Sequence, residues 1–227
     1  MVLLAVHTTS PSLGVAIVER DSVLGEVILP HGKEHLENLA PTIRDLTLNL
    51  GITLRDLDAL AVATGPGSFS GIRIGIACVK GIAIALGKPV LGVTSLEIQA
   101  WNIVEEGRTG ISVIDARRGE IYLAVYKNLG GLTEIVAPRL LHADGLGSFT
   151  AGFPEGTVLV GDASLERVLT SIPNVQRVIA ASPSAAACGL IAYERFTMGA
   201  ASQLDSLAPL YVRRSDAEEK RGLLNRN

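Results

Sequence analysis

Hydrophobic positions change their spacing several times along the chain, and each change marks an element. Val2 to His7 is a continuous aliphatic run, and Thr9-Ser10-Pro11-Ser12 reads as a turn. Gly14 to Glu19 and Val23 to Leu29 read as two further strands, so the chain opens with a meander that Pro30 and Gly32 end. From His35 the spacing becomes helical: Leu36, Leu39, Ile43, Thr47 and Leu50 form one stripe, and Gly51 supplies the stop. Pro41 falls inside that stripe and predicts a kink or a late helix start. Ala59 to Thr64 then reads as a buried strand. The segment Gly65-Pro66-Gly67-Ser68-Phe69-Ser70-Gly71 leads into a long helix ending at Leu86. Val90 to Thr94 is another strand, and Ser95-Leu96-Glu97 opens a helix through Val104.

The second half repeats the order. Ile111 to Asp115, Glu120 to Tyr126 and Leu132 to Leu141 give a second meander. A short helix near Asp144 follows, then a strand from Thr157 to Val160 and helices over Ser164 to Thr170 and Ser184 to Met198. Setting His7 against Asp115 gives an offset of 108 residues, which also carries His35 to Ala143. Two such units facing each other predict an α/β protein of the actin-like (sugar kinase/Hsp70/actin) architecture, with two duplicated ribonuclease-H-like lobes. A single doubly wound sheet is the alternative. The lobes are expected over residues 1–106 and 107–209, divided at the polar link Glu105-Glu106-Gly107-Arg108-Thr109-Gly110. Residues 210–227 are expected to return to the first lobe, through an extended Leu210-Tyr211-Val212-Arg213 and a charged helix over Ser215 to Arg221.

Composition narrows the function classes. With 48% hydrophobic and 19% charged residues in a chain of 227, global disorder is excluded and a sizeable core is expected. The net charge is −3 and no Lys/Arg run exceeds two residues. A role linked to nucleic acid would therefore work through a partner or a small patch such as Arg117-Arg118 or Arg213-Arg214. Cys78 and Cys188 are the only cysteines, which rules out a disulfide framework and a Cys-rich zinc site. The first residues lack a basic leader, and the apolar stretch Ile72 to Leu91 is broken by Arg73, Lys80, Lys88 and Gly87-Pro89. A cytoplasmic protein with no membrane span is expected.

The glycine-rich segment is the strongest chemical signal. A strand running through Gly65, Gly67, Ser68, Ser70 and Gly71 into a helix can present backbone N–H groups and hydroxyls to a phosphate or carboxylate. It can equally be a tight turn with a serine N-cap. It lacks the Gly-Lys-Ser/Thr ending of a Walker A loop. Gly67 to Gly71 also satisfies G-x-S-x-G, with Ser70 as nominal nucleophile and Asp115 and His142 in hydrolase order, although Gly65-Pro66 breaks the strand too early for a nucleophile elbow. The following helix is apolar on two stripes, Ile72/Ile76/Val79/Ala83 and Ile74/Cys78/Ile82/Ala85, with only Arg73 and Lys80 charged. Such a helix is buried on nearly every side, either centrally or by a partner protein. His31 and His35 have metal-pair spacing, but Pro30 and Gly32 keep them off a shared helical face and no metal site is expected. His7 stands where an actin-like fold places a carboxylate that organises Mg²⁺, which an imidazole does not do.

Several segments together resemble the bacterial TsaB (YeaZ) family, the non-catalytic subunit of the machinery that makes N6-threonylcarbamoyladenosine in tRNA. They are Gly65 to Gly75 (GPGSFSGIRIG), His35-Leu36-Glu37 with Leu39 and Pro41, Gly92 to Glu97 (GVTSLE), Asp115 to Tyr122 (DARRGEIY) and Leu210 to Arg213 (LYVR). The resemblance implies the actin-like fold and a scaffold role without catalytic residues of its own. It also implies a heterodimer with the catalytic paralogue TsaD and a larger complex with the ATPase TsaE. ATP and a metal ion would sit on those partners, and tRNA would be met indirectly. It places pairing on the first helix and the helix after the glycine-rich loop, here Leu36, Leu39, Ile43, Ile72, Arg73, Ile76, Val79, Lys80 and Ala83. Such a surface, unpartnered, predicts a homodimer of the isolated chain. The paralogue's two metal-binding histidines would fall at Ser95 and Gln99 here, and the Asp common at the end of the first strand is His7. An independent Ser70 hydrolase or a small actin-like ATPase is the alternative.

Overall fold

The computed structural model describes residues 1–30, 35–101, 105–172, 175–179, 184–200 and 204–213. The first half forms β1 (Val2–His7), β2 (Leu13–Glu19), β3 (Ser22–Leu29), α1 (His35–Asn49), β4 (Ala59–Ala63), α2 (Phe69–Leu86), β5 (Val90–Val93) and α3 (Ser95–Ala100). The second forms β6 (Thr109–Arg117), β7 (Glu120–Asn128), β8 (Leu132–His142), α4 (Leu146–Thr150), β9 (Val158–Gly161), α5 (Glu166–Thr170), β10 (Gln176–Ile179) and α6 (Ala185–Thr197). The strands make two five-stranded sheets of the same order, β3-β2-β1-β4-β5 and β8-β7-β6-β9-β10. In each, an antiparallel meander is extended by two parallel strands. This is the duplicated actin-like arrangement, and a single sheet is excluded.

The repeat contracts as it proceeds. Corresponding strands start 107 residues apart at Val2 and Thr109, 99 apart at Ala59 and Val158, and 86 apart at Val90 and Gln176. The crossovers account for this: α1 and α2 have 15 and 18 residues, whereas α4 and α5 have five each. β10 was not anticipated from the sequence, because it is only four residues long and contains Gln176 and Arg177. α1 starts at His35 with Pro41 inside it, so the late start expected from that proline does not occur. His31, the helix expected over Ser215 to Arg221, and Arg214 lie outside the described residues.

Two layers of helix cover the first sheet. On one face Leu4, Val6, Leu13, Val15, Leu60 and Val62 pack with α1 and α2. The other face is lined by Leu3, Ala5, Ala16, Ala59, Ala61 and Ala63 and receives α6. Small residues on both sides let the two backbones approach closely. A Cβ at Gly189 on α6 would lie 2.6 Å from Val18 Cγ2, and one at Gly14 would lie 3.1 Å from Ala185 Cβ. α3 in turn packs on β6 and β7 of the second sheet, through Leu96 and Ala100 against Ala124 and Tyr126. The halves thus exchange helices. α6 covers the first sheet, α3 covers the second, and a Glu97–Arg195 ion pair joins α3 to α6 between them.

Candidate functional site

β1 ends at the junction between the lobes, where three consecutive polar residues are buried. His7 Nε2 lies 2.9 Å from Thr9 Oγ1, which lies 2.7 Å from Ser95 Oγ. Thr8 Oγ1 donates to the Gly71 carbonyl at 2.7 Å. The glycine-rich segment packs its glycines against this turn, while Ser68, Phe69 and Ser70 face solvent. Ser68 N donates to Thr9 O at 2.7 Å, Ser95 N donates to Gly65 O at 2.8 Å, and Gly71 N donates to Ser68 Oγ at 3.2 Å. Added Cβ atoms at Gly67 and Gly71 would lie 2.3 Å from Thr9 O and 2.0 Å from Thr8 O, and one at Gly75 would lie 2.4 Å from Thr8 Oγ1. These glycines let α2 and the β1–β2 turn meet backbone to backbone. Of the two readings of the segment, the tight turn with Ser68 as N-cap is the observed one. Of the anion cradle expected over Gly65, Gly67, Ser68, Ser70 and Gly71, the Ser68 amide is already taken by Thr9 O.

An actin-like fold implies a nucleotide with Mg²⁺ between its lobes, and the residues present do not fit that group. His7 is fully buried, and burial together with the nearby His35 lowers its pKa to about 4, so the ring is neutral. A neutral imidazole supplies no anionic oxygen for hydrated Mg²⁺. The opposing Asp115 accepts from Arg117 N at 2.8 Å and pairs with the Arg117 guanidinium at 3.3 Å. The N-terminus of α6, whose Ala185 packs close to Gly14, is already capped by a carboxylate. Glu26 Oε1 accepts from Ser184 Oγ at 2.8 Å and from Ala186 N at 2.9 Å. A second anion there would meet like charge.

The other candidates sort as clearly. Ser95 and Gln99 are buried and bonded within the chain, Ser95 to Thr9 and Gln99 Oε1 to Ser112 Oγ at 2.6 Å. Among the described residues no three His, Cys, Asp or Glu side chains come together, and His35 Nε2 donates to the Ser10 carbonyl at 3.1 Å. Ser70, Asp115 and His142 form no triad. Ser70 Oγ is 3.4 Å from Ser68 Oγ, Asp115 pairs with Arg117, and His142 Nδ1 lies 3.4 Å from Asp144.

The helix face tells most about partners. Leu39, Ile43, Ile72, Ile76, Val79 and Ala83, expected at a pairing surface, are buried in the chain's own core. They are the stripes of α1 and α2 that meet the sheet, and a partner does not reach them in the folded chain. Ile74, Cys78 and Ile82 are half-buried beside that core. The reachable side of α2 is Phe69, Ser70, Arg73, Ala77, Gly81, Ile84 and Ala85, with Lys80 at its margin, and on the adjoining α1 it includes Leu36. Ile84 is 68% exposed, Leu36 73% and Leu48 67%. α2 is long and apolar enough to cross a membrane by length and composition, at a mean hydropathy of 1.7, yet its inner face is packed on the first sheet. The signal that could have separated the two sides was Gly71 and Gly75, which mark the side of α2 pressed against the β1–β2 turn.

At the start of α2 an aromatic–cation cluster ties in the end of the described chain. Arg73 Nε donates to Tyr211 Oη at 2.8 Å, and its guanidinium carbon lies 3.8 Å over the Phe69 ring. Leu210 N donates to Thr64 O at 2.8 Å, and Arg213 reaches the second lobe at Glu120, 3.1 Å away.

Duplicated sheets of the same order and exchanged helices define a protein of the actin-like fold. The comparisons carry this to a family. Residues 23–158 match the family described as TsaD, tRNA N6-adenosine threonylcarbamoyltransferase. The chain is 30% identical, over 97% of both lengths, to the tRNA threonylcarbamoyladenosine biosynthesis protein TsaB of Bacillus subtilis. Its structure resembles YeaZ from Pseudomonas aeruginosa with a TM-score of 0.80 and 27% identity, covering 92% of this chain and 99% of that one. A ROK hexokinase from Thermus thermophilus shares the fold at a TM-score of 0.52 and 14% identity, covering 88% and 100%. The chain belongs to the TsaB (YeaZ) family.

Proposed function

We propose that this protein is the non-catalytic scaffold and activator subunit in forming the threonylcarbamoyl group on A37 of tRNAs that read A-starting codons. It pairs with a TsaD-like catalytic paralogue, within a larger assembly that includes a TsaE-like ATPase. The names of its relatives support the pathway. The observation that carries the scaffold role is the outward side of α2. Ala77, Gly81, Ile84 and Ala85 form an exposed apolar strip on an 18-residue helix, and Leu36 on α1 is exposed as well. Exposed apolar surface of this kind is a docking surface or a liability. The closed His7–Thr9–Ser95 junction supports a chain that does no nucleotide chemistry itself, leaving ATP and metal to the partners. tRNA is then met through the complex in the cytoplasm, and the isolated chain pairs with itself on the same strip.

Titration calorimetry of the purified chain against the TsaD-like subunit tests this. Wild type should bind, and Ile84→Glu should abolish binding without changing the melting temperature, because a carboxylate would be buried unpaired in the interface. Undiminished binding by Ile84→Glu would remove α2 from the interface.

A further inference from the structure

Resting on that docking reading, we infer that Arg73 is a preassembled anchor for a carboxylate of the protein partner. An exposed arginine usually pays for capture with lost rotamer freedom. Here much of that loss has been made in folding. Nε is held by Tyr211 Oη at 2.8 Å, and the guanidinium carbon lies 3.8 Å from the Phe69 ring centroid and 5.8 Å from that of Tyr211. The two rings stack at 4.9 Å with 27° between their planes. Tyr211 is fixed in turn, since Leu207 is buried in the first core, Leu210 N bonds Thr64 O, and Arg213 Nη1 lies 3.3 Å from Ala116 O as well as pairing with Glu120. The terminal guanidinium nitrogens remain to donate. Arg73 has no ion pair among the described residues, and α2 contains no acidic residue.

A planar guanidinium so held takes a carboxylate in bidentate fashion. A protein partner fits better than a nucleic acid because the anchor stands at the head of the Ala77–Gly81–Ile84 strip, which seeks apolar surface. A second copy fits worse, since two-fold pairing of this helix, parallel or antiparallel, sets the cations Arg73 and Lys80 of one copy near those of the other. The anchor therefore favours an acidic partner over self-association.

The test is the affinity of full-length variants for the purified TsaD-like subunit, beside their self-association and their affinity for bare tRNA. Arg73→Ala should weaken partner binding about 30-fold, as for an interface hot spot. Arg73→Lys should weaken it about tenfold, because an ammonium neither stacks nor binds in bidentate fashion. Tyr211→Phe, which removes only the orienting hydroxyl, should weaken it about fivefold. Self-association should stay the same or tighten in Arg73→Ala, and melting temperatures should fall by no more than about 4 °C, since only an exposed cation–π contact is lost. Partner affinity within threefold of wild type in Arg73→Ala, while Ile84→Glu abolishes binding, overturns the anchor and leaves the docking surface standing. Undiminished binding by Ile84→Glu removes the docking surface and the anchor with it. A loss confined to self-association or to bare tRNA reassigns Arg73 to that ligand and also overturns the inference.

Discussion

Ile76 and Ile84 lie eight residues, about two turns, apart on α2, and the fold assigns them opposite work. Ile76 is 6% exposed, packed with Ile72 and Val79 against the first sheet, whereas Ile84 is 68% exposed. Ile76→Ala deletes buried carbons in a site whose backbone is fixed by close contact with the β1–β2 turn, so it relaxes little. A cost of about 3 kcal/mol is expected, a large share of a total stability of roughly 5–15 kcal/mol. For a chain of this size that lowers the melting temperature by about 6–12 °C. Ile84→Ala removes the same atoms from solvent and should change stability by less than about 0.5 kcal/mol. Urea unfolding followed by the single tryptophan, Trp101, which packs against the opposite face of the same sheet, reads both. The Ile76→Ala midpoint should fall by about 1 M with an unchanged slope. Equal midpoints for the two variants, or a larger loss at Ile84, would refute the assignment of faces.

Three further outcomes follow from the same contacts. His7 is neutral in the fold with a pKa near 4, against 6.5 in the unfolded chain, which therefore takes up its proton first as pH falls. Stability should be level with respect to this group above about pH 6.5 and fall by about 3 kcal/mol between there and pH 4, and a His7→Asn variant that kept the full slope would contradict this. Gly71→Ala forces a Cβ onto the Thr8 carbonyl and should cost about 2–3 kcal/mol, whereas Gly81→Ala, with open space around it, should gain about 0.5–1 kcal/mol; thermal melts of both decide it. Among the described residues Ser70 has no base bonded to it, so a fluorophosphonate probe should leave it unlabelled, and labelling lost in Ser70→Ala would revive the hydrolase.

Most of the fold was legible because the signals were local. β1, α2 and the start of α1 follow from run length, helical spacing and caps, with Ser68 and Gly87 closing α2 at the expected ends. The duplication showed in the meanders, which keep their spacing, and blurred where α4 and α5 shrink to five residues. What the pattern did not reveal were packing choices between distant segments. α6 lies on the first sheet because alanines and Gly189 match the alanine-rich back of β1 and β4, and no spacing rule announces such a match across more than a hundred residues. The same gap put Ile72, Ile76, Val79 and Ala83 on the wrong side of α2. Two apolar stripes give equal periodicity, and only contact with Thr8 distinguishes the inner one. The glycine-rich loop keeps two readings in the sequence, since glycines that admit a phosphate and glycines that admit a neighbouring backbone read alike.

On the proposed function, this chain contributes a surface and not a reaction. Reconstituting threonylcarbamoyladenosine formation from purified TsaD-like and TsaE-like subunits, tRNA, ATP and a threonylcarbamoyl donor, and measuring modified nucleoside with wild type, Ile84→Glu and Ser70→Ala, tests this. Full product is expected with wild type and Ser70→Ala and background product with Ile84→Glu, a variant that should fold because Ile84 is exposed. Product undiminished by Ile84→Glu, or abolished by Ser70→Ala, would contradict it.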